Sequence, residues 1–275
     1  VLDEFDGRKW VDSKKHNWTK NYKVDPGKLF DTVGPAYQVM LEPHQQKWVF
    51  SLEGSLPASS NLIKSEMGLY RLKTDAIQAT RYKMALDPAD ISQAIATIPT
   101  AHSVSYAERI SSYKMQDLKL PSNGSNPRAK LYIDELKKRF SSDELLLRYL
   151  LNQFRDELFY YTLDPPALGD NFVDEFMFET KSGFCGHYAS SLAYMLRLAA
   201  IPARVVVGYQ GGETNSQSSY MIVSQYDAHA WVEVFIEGMG WLRVDPTAMV
   251  SPIRISEGSS RALGNEPAFM ENSPF

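Results

Sequence analysis

The chain has 275 residues, of which 44% are hydrophobic and 23% are charged, a composition that is ordinary for a globular protein. Its 29 basic and 33 acidic residues give a net charge of −4, so no basic surplus points to nucleic acid. No apolar stretch reaches membrane-spanning length, because the best candidate, Ala189 to Val207, contains Arg197 and Arg204. The single cysteine, Cys185, excludes an intramolecular disulfide and a multi-cysteine metal site.

Residues 1–120 are predicted to form a strand-rich N-terminal region. Segments rich in Val, Tyr, Thr and Met alternate there with turn signals such as Glu42-Pro43-His44, a pattern that favours short strands. The predicted strands are Phe30 to Leu41, Trp48 to Leu52, Gly68 to Leu86 and Ser103 to Met115.

A second region is predicted at residues 121–250, after a run of turn-forming residues from Leu120 to Pro127. Two helices open it. The first is predicted from Pro127 to Phe140, with proline in its first turn, and the second follows an N-cap signal at Ser141 to Glu144 and ends near Asp156.

A third helix is predicted to begin at Cys185, because apolar residues recur at helical spacing until Pro202 ends the pattern. Strands follow, and the last two are joined by a hairpin signal at Glu237 to Gly240. Residues 251–275 are rich in Ser, Gly, Pro and Asn and are predicted to be an extended tail or linker. The predicted strands of this part are Ala203 to Tyr209, Tyr220 to Gln225, His229 to Ile236 and Trp241 to Asp245.

Cys185 is the first candidate for catalysis, since Gly183 and Gly186 flank it where a helix begins. Backbone N–H groups and the positive end of the helix dipole stabilise a thiolate there and can also bind an oxyanion. A cysteine that only packs the helix end is the alternative interpretation, and the isolated motif slightly favours it. The flanking glycines, which let a substrate approach the backbone, favour catalysis.

A thiol nucleophile needs a base, and His229 is the better placed of two candidates. His187 lies two residues beyond Cys185 on the helix, about 200° around its axis, so it is expected to point away. His229 opens a strand, and its ring can face the start of a helix that packs on the sheet. Taken alone, a strand-edge histidine bonded to the backbone would be the more common interpretation.

A third group must orient the imidazole, and Asp245 lies at the end of the adjoining strand, although it could be only a turn former. His229 and Asp245 must share one face of the hairpin, which requires an odd number of residues between the last paired positions. We therefore expect a three- or five-residue loop, or a bulge, with Gly238 or preferably Gly240 at positive φ.

Four segments together resemble the transglutaminase-like core, in the order and at the spacing of that family. The resemblance extends from Phe159 to Thr247 and implies that residues 121–250 are the catalytic core. It implies a papain-like α+β core in which the cysteine helix packs on an antiparallel sheet. It also implies a Cys185–His229–Asp245 catalytic triad that needs neither a metal nor a cofactor. The four segments are GFCGHYA at 183–189, IPARVVVGY at 201–209, DAHAWVEV at 227–234 and GWLRVDPT at 240–247.

Together with the upstream segments Phe5 to Trp10 and Tyr37 to Pro43, the chain resembles the soluble domain of TgpA-type bacterial inner-membrane proteins. That resemblance implies a periplasmic domain whose membrane anchors are expected outside this chain. Two positions depart from the family pattern. Ala200 stands where a glycine commonly precedes the Ile-Pro pair, and Gly186 stands where an acidic residue is frequent.

The resemblance implies acyl transfer of the protein-glutamine gamma-glutamyltransferase type, on peptide or protein amides of the cell envelope. The partners would be a glutamine donor and an amine acceptor, including cell-wall-associated ones, and no nucleic acid. A cysteine peptidase or amidase would use the same residues with water as acceptor, and an inactive binding scaffold is a third alternative. Trp231 and Trp241 could line a substrate channel, and Tyr161 or Tyr160 could donate to an oxyanion, although packing is at least as common a role for such residues.

Overall fold

The chain forms two compact units in the computed structural model, one of residues 14–102 and the other of residues 1–13 together with 103–275. The region boundaries that the sequence analysis places at residues 120 and 250 stay predictions. The predicted strand at Ser103 to Met115 and the predicted tail beyond residue 252 lie outside the described residues. Within the described part of the chain, no helix combines the length and apolarity needed to cross a membrane. The structure describes residues 2, 4–6, 9–11, 18–19, 35–65, 69–86, 116–215 and 217–252.

The N-terminal part is strand-rich, as predicted. β1 (Glu4–Phe5) and β2 (Trp10–Val11) pair with each other and belong to the larger unit. The smaller unit has two three-stranded antiparallel sheets, in the orders β3-β6-β7 and β4-β8-β5. Its strands are β3 (Trp18–Thr19), β4 (Ala36–Leu41), β5 (Ser55–Pro57), β6 (Leu62–Ser65), β7 (Tyr70–Leu72) and β8 (Thr80–Leu86).

Two predicted strands of this unit differ from the structure. In the segment Trp48 to Leu52, only Trp48 forms a bridge, and it pairs with Arg71 alone. The long strand predicted from Gly68 to Leu86 is two strands, because residues 73–79 turn the chain between β7 and β8. Side chains from both sheets pack the core, among them Leu41, Leu62, Leu72, Tyr82 and Met84.

The helices of the larger unit begin and end close to their predicted positions. Ser142 is the N-cap residue of the second helix, but its side chain makes no capping hydrogen bond. The first helix is capped by a residue far away in the sequence, since the Asp174 carboxylate accepts hydrogen bonds from the backbone N–H groups of Arg128 and Ala129. The helices are α1 (Pro127–Arg139), α2 (Asp143–Asp156), α3 (Phe172–Glu175), which continues into a π-helical turn (Phe176–Thr180), and α4 (Cys185–Leu198).

A three-stranded antiparallel sheet carries the helix that starts at Cys185. β14 (Ala228–Ile236) lies between β11 (Ala203–Tyr209) and β15 (Gly240–Val244), and α4 packs on β11 and β14. Val232 and Val234 of β14 are fully buried in this core, together with Leu192 and Leu196 of α4. The predicted α+β arrangement, a cysteine helix on an antiparallel sheet, is confirmed. The remaining strands are β9 (Tyr160–Tyr161), β10 (Ser182–Gly183), β12 (Glu213–Thr214) and β13 (Met221–Ile222).

The end of α4 shows how the chain accommodates Ala200 in place of a glycine. Ala200 adopts a left-handed conformation with φ 65°. Its N–H bonds the carbonyl of Arg197, and the next N–H, of Ile201, bonds the carbonyl of Leu196. These two bonds form the Schellman motif, which places the residue after the C-cap in the left-handed region. Ala200 therefore occupies a conformation that costs an alanine about 1 kcal/mol relative to glycine.

The hairpin between β14 and β15 has the odd loop length that the sequence requires. Ile236 pairs with Gly240, so three residues form the loop. Gly238 has φ 81° and Gly240 has φ 83°, which confirms a glycine at positive φ, including the preferred Gly240. Val232 pairs with Val244, and the same register sets Asp245 beyond the last pair on the face of the odd-numbered residues of β14.

Candidate active site

Cys185 lies at the first position of α4 as a buried free thiol. The glycines beside it make room for neighbouring side chains. A Cβ at Gly183 would lie 2.8 Å from the Cβ and Cγ of His187, and a Cβ at Gly186 would lie 3.0 Å from the Phe184 ring. The two glycines therefore allow Phe184 and His187 to close around the start of the helix. Close packing at this point, and not only substrate access, explains why they are glycines.

His229 and Asp245 form a close pair at the end of the hairpin strands. The imidazole Nε2 donates to Asp245 Oδ2 over 2.6 Å, and the His229 side chain is 0% exposed. The other carboxylate oxygen, Oδ1, accepts the backbone N–H of Thr247 over 3.0 Å. Asp245 is thus held by its own turn, since it is the N-cap of the short 3-10 helix Pro246–Met249. Both oxygens are engaged, which fixes the carboxylate against the ring.

Cys185 also acts on the pKa of this imidazole. Nε2 faces Asp245, and the other ring nitrogen, Nδ1, is buried and has no hydrogen-bond partner among the described residues. Burial lowers the pKa of His229, but the interactions with Asp245 and Cys185 outweigh burial and raise it to about 9. The raised pKa favours the charged imidazolium beside the Asp245 carboxylate, and catalysis by Cys185 together with this histidine stays a prediction.

His187 has a different partner, in agreement with the geometric expectation. Its Nδ1 accepts the backbone N–H of Phe184 over 3.3 Å, and its ring packs 4.4 Å from the Phe184 ring and 5.7 Å from that of Phe176. Burial lowers the pKa of His187 to about 4, so the ring is neutral near pH 7. His187 holds the backbone that leads into Cys185.

Trp231 lies beside the His229 ring. The two rings stack at 6.3 Å with an interplanar angle of 23°, and the Arg243 guanidinium covers the indole at 4.4 Å. Gly208 pairs with His229 across the sheet, and a Cβ there would lie 2.9 Å from the indole. Trp231 therefore packs beside the His229 ring at the candidate site. Contact between Trp231 and a substrate stays a prediction.

The structure does not bring Trp241 to the site. Trp241 is buried, packs 5.7 Å from the Phe235 ring and lies under the Arg204 guanidinium at 4.1 Å. It stands four residues before Asp245, which is roughly 13 Å along a strand. These contacts give Trp241 a packing role within the hairpin, and a role in substrate binding stays a prediction.

Tyr160 and Tyr161 lie next to the chain that enters α4. They form β9, which pairs in parallel with Ser182 and Gly183 of β10. Tyr161 stacks on Tyr188 with ring centroids 6.4 Å apart, and the Tyr188 hydroxyl donates to the carbonyl of Tyr160. Tyr161 is thus close to the helix start, while its role as an oxyanion donor stays a prediction.

Two features of the site escaped the sequence analysis. The Thr247 N–H that holds Asp245 was overlooked, although Asp-Pro-Thr is a recognisable N-cap signal with proline at the first helical position. The stack of Arg243 on Trp231 depends on strand register, and no local pattern indicates it. Among the described residues, no group of three or more His, Cys, Asp or Glu side chains is arranged to hold a metal ion.

Comparison with known proteins places this chain in a family. The model of the transglutaminase-like superfamily matches residues 134–246, and that of the TgpA N-terminal domain matches residues 1–92. The chain is 37% identical over 278 residues to a protein-glutamine gamma-glutamyltransferase of Pseudomonas aeruginosa, covering 100% of this chain and 38% of that protein. It is 36% identical over 106 residues to the uncharacterized protein YebA of Bacillus subtilis, covering 37% of this chain and 14% of YebA.

The fold agrees with a solved structure over most of both chains. The periplasmic domain of TgpA from Pseudomonas aeruginosa superposes with a TM-score of 0.79 at 35% identity, covering 95% of this chain and 85% of that domain. The chain thus spans nearly all of the solved domain but only 38% of the full-length curated relative. Since both family models and the solved domain agree, this chain belongs to the transglutaminase-like superfamily, with the N-terminal domain of the TgpA type.

Proposed function

We propose that the protein is an acyltransferase of the protein-glutamine gamma-glutamyltransferase type. The observation that carries this proposal is the buried imidazole of His229, which bonds Asp245 over 2.6 Å and whose pKa is raised by both Asp245 and Cys185. Such an order of groups makes cysteine the nucleophile, histidine the proton carrier and aspartate the orienting group.

In the first half-reaction, the Cys185 sulfur attacks the side-chain carboxamide carbon of a glutamine. The new S–C bond creates an oxyanion, which the free backbone N–H groups at the start of α4 can bind. The imidazolium of His229 then gives its proton to the departing nitrogen. The C–N bond breaks, ammonia leaves, and a thioester on Cys185 remains.

In the second half-reaction, an amine attacks the thioester carbon. His229, now neutral, takes the proton from the attacking amine, and the C–S bond breaks as the amide forms. The thiolate and the imidazolium are restored together. Cys185 is 5% exposed and His229 is 3% exposed, so both groups are shielded from bulk solvent before a substrate binds.

The relatives support both the reaction and a location. One of them is named a protein-glutamine gamma-glutamyltransferase, and the solved domain is periplasmic. On that basis we place this chain in the bacterial periplasm, as part of an inner-membrane protein whose anchors lie outside it. Its donors would be envelope proteins or peptides, including cell-wall-associated ones, and its acceptors would be amines such as lysine side chains.

The experiment follows both products of one reaction. A blocked Gln-Gly dipeptide is incubated with the protein, with and without a fluorescent primary amine, while amide product and ammonia are quantified. We expect one amide formed for each ammonia released when the amine is present. Ammonia release that the amine does not change, with no amide product, would instead identify an amidase that uses water. Absence of both products would reject catalysis on glutamine.

A further inference from the structure

The connection between β11 and β14 carries an exposed apolar run. Residues 210–227 connect the two strands and contain the β12–β13 hairpin, and four consecutive large side chains, Tyr220 to Val223, are each between 48% and 55% exposed. Single exposed apolar residues are common on soluble proteins, but contiguous ones mark sites of interaction. Both faces of β13 are exposed, so neither packs on the described core.

The outer edge of β13 is open for pairing. Asn215 donates to the carbonyl of Tyr220, and the register pairs Thr214 with Met221. Because hydrogen-bonded and non-hydrogen-bonded pairs alternate in an antiparallel ladder, the N–H and C=O of Met221 point away from β12. No described strand pairs with that edge. An extended chain could therefore add to it as a third strand.

The hairpin is continuous with the candidate active site. At the base of the hairpin, the N–H of Gln210 donates to the carbonyl of Asp227. The adjoining pair, Tyr209 with Ala228, is the first pair between β11 and β14. The next pair along the sheet contains His229. From Gly208, its partner in that pair, six residues lead to Thr214, a span of at most about 22 Å. A substrate whose glutamine reaches Cys185 can therefore extend along the hairpin.

The charge of this surface indicates the chemistry of its ligand. The sequence contains no Lys or Arg between residues 205 and 242, and the hairpin itself carries only Glu213 and Asp227 as charged residues. Binding to an anionic bilayer or to nucleic acid depends on basic side chains, which residues 210–227 lack. The arginine at the base of the hairpin, Arg243, donates to Gln210 and covers the Trp231 ring. An uncharged, apolar, extended polypeptide is the ligand that fits an open strand edge with exposed Val, Ile, Met and Tyr side chains.

We propose that the β12–β13 hairpin binds the polypeptide that carries the reactive glutamine, as a strand added to the outer edge of β13. Apolar residues that flank the glutamine contact Tyr220 to Val223, and the backbone of the substrate pairs with Met221. This inference rests on the proposed function, because it names the class of donor that the same site selects: a protein or peptide glutamine within an extended apolar segment.

The test compares two peptides of equal length and charge that each contain one glutamine, flanked by Val and Ile in one and by Ser in the other. The variant Ile222→Thr/Val223→Thr removes apolar surface while keeping residues that favour strands. The matched control, Leu131→Gln/Leu145→Gln, removes two side chains of similar or greater exposure from α1 and α2. Met221→Pro removes the outward N–H at an edge position where proline is tolerated.

For the wild-type protein we expect kcat/KM to be about tenfold higher with the apolar peptide, mainly through KM. The preference should fall to about twofold in Ile222→Thr/Val223→Thr and in Met221→Pro. It should persist in the control, and turnover of the blocked dipeptide should be equal in all four proteins. An undiminished preference in both hairpin variants would overturn the inference.

Failure of the proposed function is separated from failure of this inference by a binding measurement. The fluorescently labelled apolar peptide is titrated into Cys185→Ala with and without the two hairpin substitutions, and anisotropy reports affinity without turnover. Weaker binding with the substitutions supports the inference even if no glutamine is converted. Equal peptide binding, combined with a hairpin-dependent association with phosphatidylglycerol vesicles, would overturn it in favour of a membrane contact.

Discussion

The carboxylate of Asp245 fixes the imidazole of His229 through a 2.6 Å hydrogen bond from Nε2, although 16 residues separate the two in the chain. The three-residue loop makes this contact possible, because an even loop would place Asp245 on the opposite face of the sheet. The N–H of Thr247 holds the second carboxylate oxygen. The orientation of the base is therefore a property of the hairpin and of the turn that follows it.

Removing the two members of this pair should have unequal effects. His229→Ala should lower kcat by about 10²- to 10⁴-fold, the usual contribution of a positioned proton carrier. Asp245→Ala or Asp245→Asn should retain roughly ten times more activity than His229→Ala, because an orienting group usually contributes less than the base. Initial rates of amine incorporation give the comparison. Equal loss in Asp245→Asn and His229→Ala would contradict an orienting role for the carboxylate.

The raised pKa of His229 predicts a loss of stability in alkali. The folded-state value is about 9 and the ordinary value is 6.5, so the stabilisation is complete below pH 6.5 and disappears as pH rises through about 9. The free energy of unfolding should therefore fall between these values more steeply in the wild-type protein than in Asp245→Asn. Urea unfolding at a series of pH values measures the difference, and parallel curves would show that Asp245 does not raise the pKa.

The same pair predicts the alkaline limit of activity. Leaving-group protonation needs the imidazolium, so kcat/KM should decline with an apparent pKa near 9, a value that belongs to the coupled Cys185–His229 system. In Asp245→Asn the decline should begin at lower pH, since the hydrogen bond that favours the charged ring is weakened. A pH–rate profile of both proteins measures the shift. An unchanged alkaline limit would mean that another group sets it.

His187 should matter for stability more than for chemistry. His187→Ala removes a packed ring and the acceptor of the Phe184 N–H, which we expect to cost about 1–3 kcal/mol of unfolding free energy. Its kcat should stay within about tenfold of wild type, because the ring does not reach the thiol as a base. Chemical unfolding and single-turnover rates separate the effects. A loss of activity as large as that of His229→Ala would contradict the assignment of the base.

Ala200 offers a stabilising change at a position remote from the chemistry. Since its φ of 65° is in the left-handed region, Ala200→Gly should raise the free energy of unfolding by about 1 kcal/mol. Thermal unfolding measures it, with Ala199→Gly as the control, because Ala199 is right-handed with φ −74° and should lose stability. Destabilisation by Ala200→Gly would show that the methyl group contributes more by packing than it costs in strain.

Periodicity and turn chemistry account for much of what the sequence predicted correctly. The bounds of α1 and α2, the helix start at Cys185 and the odd hairpin loop all follow from short-range patterns. The strands of the smaller unit were less predictable, because segments of two to seven residues carry little periodicity. The turn that divides residues 70–86 into two strands contains no proline or glycine to mark it.

Contacts between distant segments were beyond local reasoning. The stacking of Trp231 on His229 could have been predicted, since both residues face the same side of one strand. The contact of Arg243 with Trp231 could not, because it depends on how β15 pairs with β14. Gly183 shows a similar limit. Its position beside a nucleophile suggested substrate access, whereas the absence of a Cβ is required by the His187 ring. In both cases the deciding neighbour is set by packing, which sequence spacing does not report.

The most direct test of the account is the fate of Cys185, the only thiol in the chain. Amine incorporation into the blocked dipeptide is measured for wild type, for Cys185→Ala and for wild type alkylated with iodoacetamide, with circular dichroism to verify folding. We predict a single alkylated site by mass spectrometry and activity at background in both modified proteins. Turnover near the wild-type level in a folded Cys185→Ala protein would contradict the assignment of the nucleophile and, with it, the proposed mechanism.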